Sequence, residues 1–163
     1  HVQMTNIEKN DNINTIKIQS LKYQAEIEFS SVINEKSLVD ILDKENSWFY
    51  RSHPDDKTPY VIIYFNDRAH VISSYTITLS KLPLASINSN SWVVEGLEKK
   101  KSKASTWKKI DSVFRDQDPK PNETISRKSL ITEKFHAIKI TSKDKKLSFQ
   151  SLTFDCEPNL KYL

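Results

Sequence analysis

YVIIYFNDRAHVISSYTITLS, residues 60–80, decides the fold class of this chain. Its first six residues are a continuous apolar run, with Pro59 before it and Asn66 and Asp67 after it. A run that short between turn formers reads as a buried strand. Beyond the turn the pattern becomes alternation: Tyr75, Ile77 and Leu79 share one parity, and Ser74, Thr76, Thr78 and Ser80 the other. Period two with β-branched threonines is the signature of a strand on a half-buried pleated surface.

The same signature extends outward in both directions. Residues 15–19 and 23–29 alternate, the latter with Ala25, Ile27 and Phe29 on one face and Gln24, Glu26 and Glu28 on the other. Residues 92–95 and 106–114 read as strands joined by a basic hairpin loop, 97–105 (LEKKKSKAS). Residues 125–131, 135–141 and 147–156 complete the set, and the last changes apolar parity between Phe149 and Leu152, as a β-bulge requires. Ser37 can cap a short helical turn over residues 37–43, with Leu38, Ile41 and Leu42 on one side. About nine strands and little helix predict an all-β antiparallel β-sandwich. The polar, Asn-rich residues 1–14 lack periodicity and read as a flexible lead-in, leaving 15–163 as a single sandwich domain.

Composition narrows the function. A single glycine, Gly96, rules out Gly-rich nucleotide loops. A net charge of +4 is too small to demand nucleic acid, and no apolar run approaches the roughly 18 residues of a membrane span. One cysteine, Cys156, cannot form an intramolecular disulfide, which points to a reducing compartment, cytoplasm or nucleus, with an excised extracellular domain as the alternative. A start at His1 reads as a piece of a longer protein.

Several stretches together resemble the discoidin, or coagulation-factor C-type, family. SLVDILDKENSWFYRSHPDDKTPYVIIYF (37–65) resembles its short turn, aromatic spike loop and first long strand, and VISSYTITLS (71–80) its next strand. SWVVEGLEKKKSKASTWKKID (91–111) resembles its diagnostic segment, with Trp92, Gly96, Trp107 and Asp111 on the marked positions. FHAIKITSKD (135–144) and LSFQSLTFD (147–155) resemble the closing pair of strands. The resemblance covers roughly residues 23–156 and implies a jelly-roll, galactose-binding-like sandwich with Trp107 in its core and loops at one end that grip a partner. The disulfide that closes extracellular members has no counterpart near Tyr23, and lysines replace the usual Asn-Asp-Gly hairpin turn. The resemblance is therefore to the intracellular branch, whose members bind proteins.

Catalysis finds no footing. His1, His53, His70 and His136 lack zinc-ligand spacing, so neither a metal nor another cofactor is expected. Cys156 ends a packed strand and reads as an inert thiol, and no nucleophile, base and orienting group assemble from motifs. A calcium site at Asp43, Asp55 and Asp56 stands as a lesser alternative.

The spike Trp48, Phe49, Tyr50, with Arg51 and His53 beside it, has the composition of an interface hot spot or a sugar-stacking platform. Trp48 is expected to plug the sandwich, with Tyr50 and Arg51 outward. Recognition is placed on loops 49–56, 119–123 and 142–146, with Phe49, Tyr50, Arg51, His53, Asp55, Asp56, Asn122 and Lys143 as contact residues. The leading expectation is a non-catalytic module for a protein partner. The alternative is a carbohydrate module in which Trp48 or Tyr50 stacks on a sugar while Arg51, His53 and Asp56 bond its hydroxyls.

Two surface features complete the reading. Lys99, Lys100, Lys101 and Lys103, with Lys108 and Lys109, form an anion patch for lipid or phosphate, and nucleic acid is disfavoured there for want of stacking aromatics. Strand 60–65 turns Tyr60, Ile62 and Tyr64 outward, which calls for cover from residues 13–21, another domain or another chain. Asn122-Glu123-Thr124 matches the N-glycosylation acceptor pattern, used if the chain is secreted.

Overall fold

The computed structural model describes residues 2–10, 13–20, 24–33, 49–81, 87–99, 106–157 and 160–162. The helical turn expected over 37–43 lies outside them, as do Asp43, Trp48, Lys100, Lys101 and Lys103. One sheet runs β1 (Val2–Asn10), β2 (Ile13–Ser20), β3 (Ala25–Phe29), β5 (Tyr60–Phe65), β11 (Ala137–Ser142), β7 (Ser91–Leu97) and β8 (Trp107–Phe114). The opposing sheet runs β10 (Lys134–Phe135), β6 (His70–Thr78), β13 (Ser151–Glu157) and β14 (Leu160–Tyr162), with β9 (Thr124–Lys128) also paired to β6. A short pair, β4 (Tyr50–Arg51) and β12 (Ser148–Phe149), stands apart. All pairings are antiparallel, so the expected β-sandwich is the fold.

Alternation does the work the sequence assigned to it. Ala25, Ile27 and Phe29 of β3, Val61 and Ile63 of β5, and Ile138 and Ile140 of β11 all face the core and are buried, against Ile77, Leu152 and Phe154 of the other sheet. Burying each of the Val, Ile, Leu and Phe side chains among them contributes about 1.5–3 kcal/mol. Residues 1–14, expected as a flexible lead-in, contain β1, which pairs with β2 at the sheet edge through its main chain. An edge strand can be held by backbone pairing without an apolar stripe, so periodicity did not reveal it.

Beside the register shift at Thr5 in β1, three departures from period two among the described residues shape the sandwich. In β6, Ile72 and Tyr75 both point inward because Ser73 is an extra residue opposite the Asp155–Cys156 step. The parity change expected as a bulge between Phe149 and Leu152 is instead a change of partner: Phe149 pairs with Tyr50, Leu152 pairs with Ile77, and both are buried. In β8 the register steps from Asp111 opposite Val94 to Lys109 opposite Glu95, so Ile110 is extra. One added residue flips the parity of all that precedes it. Trp107 therefore lies opposite Leu97 on the outer face, half-buried, not in the core where the resemblance placed it.

That outer face carries Tyr60, Ile62 and Tyr64 as expected, but its cover is local. Ile62 is buried with Leu97 and Ala137 among Tyr60, Tyr64 and Trp107. The Lys139 ammonium lies 5.0 Å from the Tyr60 ring centroid and 5.3 Å from that of Trp107. The Tyr60 hydroxyl donates to Glu28 Oε2 at 2.7 Å. Long amphipathic side chains thus cover apolar neighbours. β2, one expected cover, lies in the plane of the sheet with Ile16 and Ile18 turned inward.

A polar chain joins the sheets. Trp92 Nε1 donates to the Tyr75 hydroxyl (2.9 Å), which donates to Asp111 Oδ2 (2.7 Å), and Arg127 grips both Asp111 oxygens at 3.0 Å. Burial pushes the Asp111 pKa up, but hydrogen bonds from Arg127 and Tyr75 outweigh it and hold the carboxyl below its usual range. A depressed carboxylate contributes stability above its unfolded value, about 3.9, that is lost as pH falls through the lower folded value. We expect the urea midpoint of the native chain to exceed that of Asp111→Asn at neutral pH, and the gap to narrow below about pH 4. A gap independent of pH would show that the charge contributes nothing.

Candidate functional site

The loops expected to recognise a partner are bound to each other at one end of the sandwich. Ser52 N donates to Leu147 O (2.9 Å) and Leu147 N donates to Ser52 Oγ (3.1 Å), joining the loop after β4 to the loop before β12. Ser142 Oγ accepts from the backbone N–H groups of Asp144 (3.2 Å) and Lys146 (3.3 Å), which closes the 143–146 turn. Lys145 adopts a positive φ of 66° within it. The Asp144 carboxylate accepts from Ser89 Oγ (2.5 Å), Ser142 Oγ (2.8 Å) and Asn90 N (2.8 Å), tying a third segment to the other two.

Between these segments lies a cleft of about 240 Å³. Arg51, Ser52, His53 and Pro54 form one wall, Asp144, Lys145 and Lys146 the other, and buried Ile87 adds an apolar surface. His53 Nδ1 accepts from Asp55 N at 3.1 Å, which in the neutral ring leaves Nε2 as the N–H donor. The cleft thus presents cationic donors, a carboxylate and a small apolar patch on backbones that their own hydrogen bonds hold in place. A larger cavity of about 360 Å³ sits at the opposite pole, lined by Tyr64, Arg68 and His136 among others. The smaller cleft is the candidate site, because three loop segments build it through mutual hydrogen bonds.

Of the residues expected to touch a ligand, Arg51 and His53 line the cleft. Tyr50, expected outward, is fully buried. Its ring packs against Phe29 and Phe149 (centroids 4.9 and 5.0 Å away), and its hydroxyl donates to Ser31 O at 2.8 Å. Burial, then Asp56, pushes its pKa well above the usual value. Asp56 is buried too: Oδ2 accepts from Ser30 Oγ (2.6 Å) and Ser31 Oγ (2.7 Å), and Oδ1 from Thr58 N (3.2 Å). Its oxygens anchor the loop to the end of β3 and do not line the cleft. Asp55 is exposed, and Phe49 is half-buried. Among the described residues no three His, Cys, Asp or Glu side chains gather to hold a metal.

Lys143 is exposed beside the cleft, its N–H donating to Ser91 O. Asn122 is exposed in a turn with φ 59°, accepts from Gln150 Nε2 at 2.5 Å, and does not line the cleft. Its loop is occupied internally, since Arg115 pairs with Glu123 and holds that carboxyl below its usual range. Lys99 is exposed. The Cys156 thiol is buried, its pKa pushed up to about 12 by that burial first and then by Asp155 and Asp67. Reasoning from sequence missed Ile87, which carries no signal, and named the 142–146 loop without choosing Asp144, Lys145 and Lys146.

No protein-family model matches the sequence, and no curated protein matches it. Solved structures do match in fold. A family 32 carbohydrate-binding module of Clostridium perfringens NanJ, in complex with galactose, superposes with a TM-score of 0.60 at 11% identity, covering 80% of this chain and 93% of its own. Chitosan-binding module 2 of a Paenibacillus sp. IK-5 chitosanase/glucanase, in complex with chitotriose, gives 0.61 at 9% identity, covering 83% and 98%. A second Clostridium perfringens family 32 module, in complex with GalNAc-β-1,3-galactose, gives 0.58 at 11%, covering 79% and 93%. The galactose-binding-like sandwich expected from the sequence is the fold these structures share with the chain.

Proposed function

We propose that this chain is a non-catalytic carbohydrate-binding module whose sugar lies in the cleft between residues 51–54 and 144–146. The observation that carries the reading is that cleft: a concave, polar-walled site with an apolar patch, at the loop end of a sandwich whose solved neighbours are described as modules in complex with galactose, GalNAc-β-1,3-galactose and chitotriose. Arg51 and His53 Nε2 supply donors to ring hydroxyls, and Ile87 with Pro54 a surface for the sugar's C–H face. The burial of Tyr50 removes a ring that the protein-partner reading and the sugar-stacking reading both used; what favours the sugar is the description of the solved neighbours as modules in complex with glycans.

A glycan array probed with the whole chain, followed by calorimetry on any sugar it captures, tests the reading. Arg51→Ala is expected to weaken binding at least about tenfold, roughly the worth of one charge-assisted hydrogen bond, with an unchanged thermal midpoint. An array silent at millimolar sugar would overturn the reading, and so would full binding by Arg51→Ala.

A further inference from the structure

We propose that the sugar is acidic, carrying a carboxylate or sulfate group, an inference that rests on the carbohydrate reading of the cleft. Three cationic side chains, Arg51, Lys145 and Lys146, line the cleft against one carboxylate, Asp144. Asp144 is turned to the protein: one oxygen takes both serine hydroxyls and the other the Asn90 amide. Among the described residues no carboxylate forms an ion pair with Arg51 or Lys145. Lys143, exposed on the same turn, adds to the positive field.

A neutral sugar would leave Arg51 and Lys145 without an anionic partner among the described residues, and an amino sugar such as chitotriose would be repelled by the positive field of the cleft. A carboxylate or sulfate matches the planar fork of a guanidinium, which can engage two oxygens at once. Lys145 holds a positive φ, a conformation uncommon outside glycine and asparagine. Its backbone is fixed by the Ser142 hydrogen bonds around it, so little ordering cost remains when an anion binds.

Calorimetry of the whole chain against galactose, trigalacturonate, galactose 6-sulfate and chitotriose, each at about 20 and 300 mM salt, tests this, because screening over about a Debye length weakens exposed charge pairs. The expected result is an anionic sugar bound at least tenfold more tightly than galactose, chitotriose the weakest, and the preference falling with salt. The carboxylate and sulfate arms show which anion the cleft takes. Lys145→Asn, which removes charge and keeps a residue that tolerates positive φ, should lower the anionic affinity about three- to tenfold, by up to one charge contact. Lys128→Gln, on exposed β9, should not. Galactose bound as tightly as both anions, without salt dependence, would overturn this inference and leave the carbohydrate reading standing. Silence with all four sugars here and on the array would overturn both.

Discussion

Tyr50→Ala is expected to lower stability by about 3–5 kcal/mol, the range for emptying a buried aromatic site, and the thermal midpoint by roughly 6–20 °C for a domain this size. The ring is fully buried between Phe29 and Phe149. It therefore fastens the short β4–β12 pair to the core, and the cleft is built on that pair, since Arg51 lies opposite Ser148. Tyr50→Phe keeps the ring and deletes only the donor to Ser31 O. It should cost about 1 kcal/mol and leave sugar affinity unchanged. Chemical denaturation with calorimetry separates the cases: a folded Tyr50→Phe that has lost binding would mean that the hydroxyl serves the ligand.

Gly96→Ala is the second large effect. A Cβ at position 96 would fall 2.4 Å from two ring carbons of Phe135 and 2.7 Å from a third. Gly96 has no positive φ, so the penalty is steric. Phe135 is itself buried and cannot swing into solvent. Overpacking of this kind costs about 1–3 kcal/mol, sometimes more. Shortening the opposing ring should return part of it: in a cycle of Gly96→Ala, Phe135→Leu and the double variant, the double should be more stable than the summed singles by about 1–3 kcal/mol. Strict additivity of urea midpoints would show that alanine is accommodated without meeting Phe135.

The sandwich was legible because alternation states directly which face of a strand is buried, and Tyr60–Phe65 falls where the apolar run placed it. Legibility failed where one residue breaks the count. Ser73 and Ile110 are bulged by their partner strands, and neither residue type announces it. Ile110 alone carries Trp107 from an expected core position to the outer face. Gln150 changes the strand's partner where a bulge was expected. At the site, an aromatic inside a turn-rich loop has the same sequence whether it anchors the loop or greets a ligand. The difference lies in Phe29 and Phe149, each far from Tyr50 along the chain. Asp56 shares that ambiguity, resolved by Ser30 and Ser31. Arg51 and His53 do line the cleft, where loop position and side-chain polarity put them as candidates. Ile87 faces the cleft from a segment with no pattern of its own.

Where the sugar binds decides between the two cavities. A two-dimensional amide spectrum of the labelled whole chain, titrated with galactose and with trigalacturonate, reads that place residue by residue. The expected result is saturable shifts gathered on Ser52, His53, Asp144, Lys145 and Lys146, with the β-sheet amides still. Shifts gathered instead around Tyr64, Arg68 and His136 at the opposite pole, or a spectrum unmoved by either sugar, would contradict it.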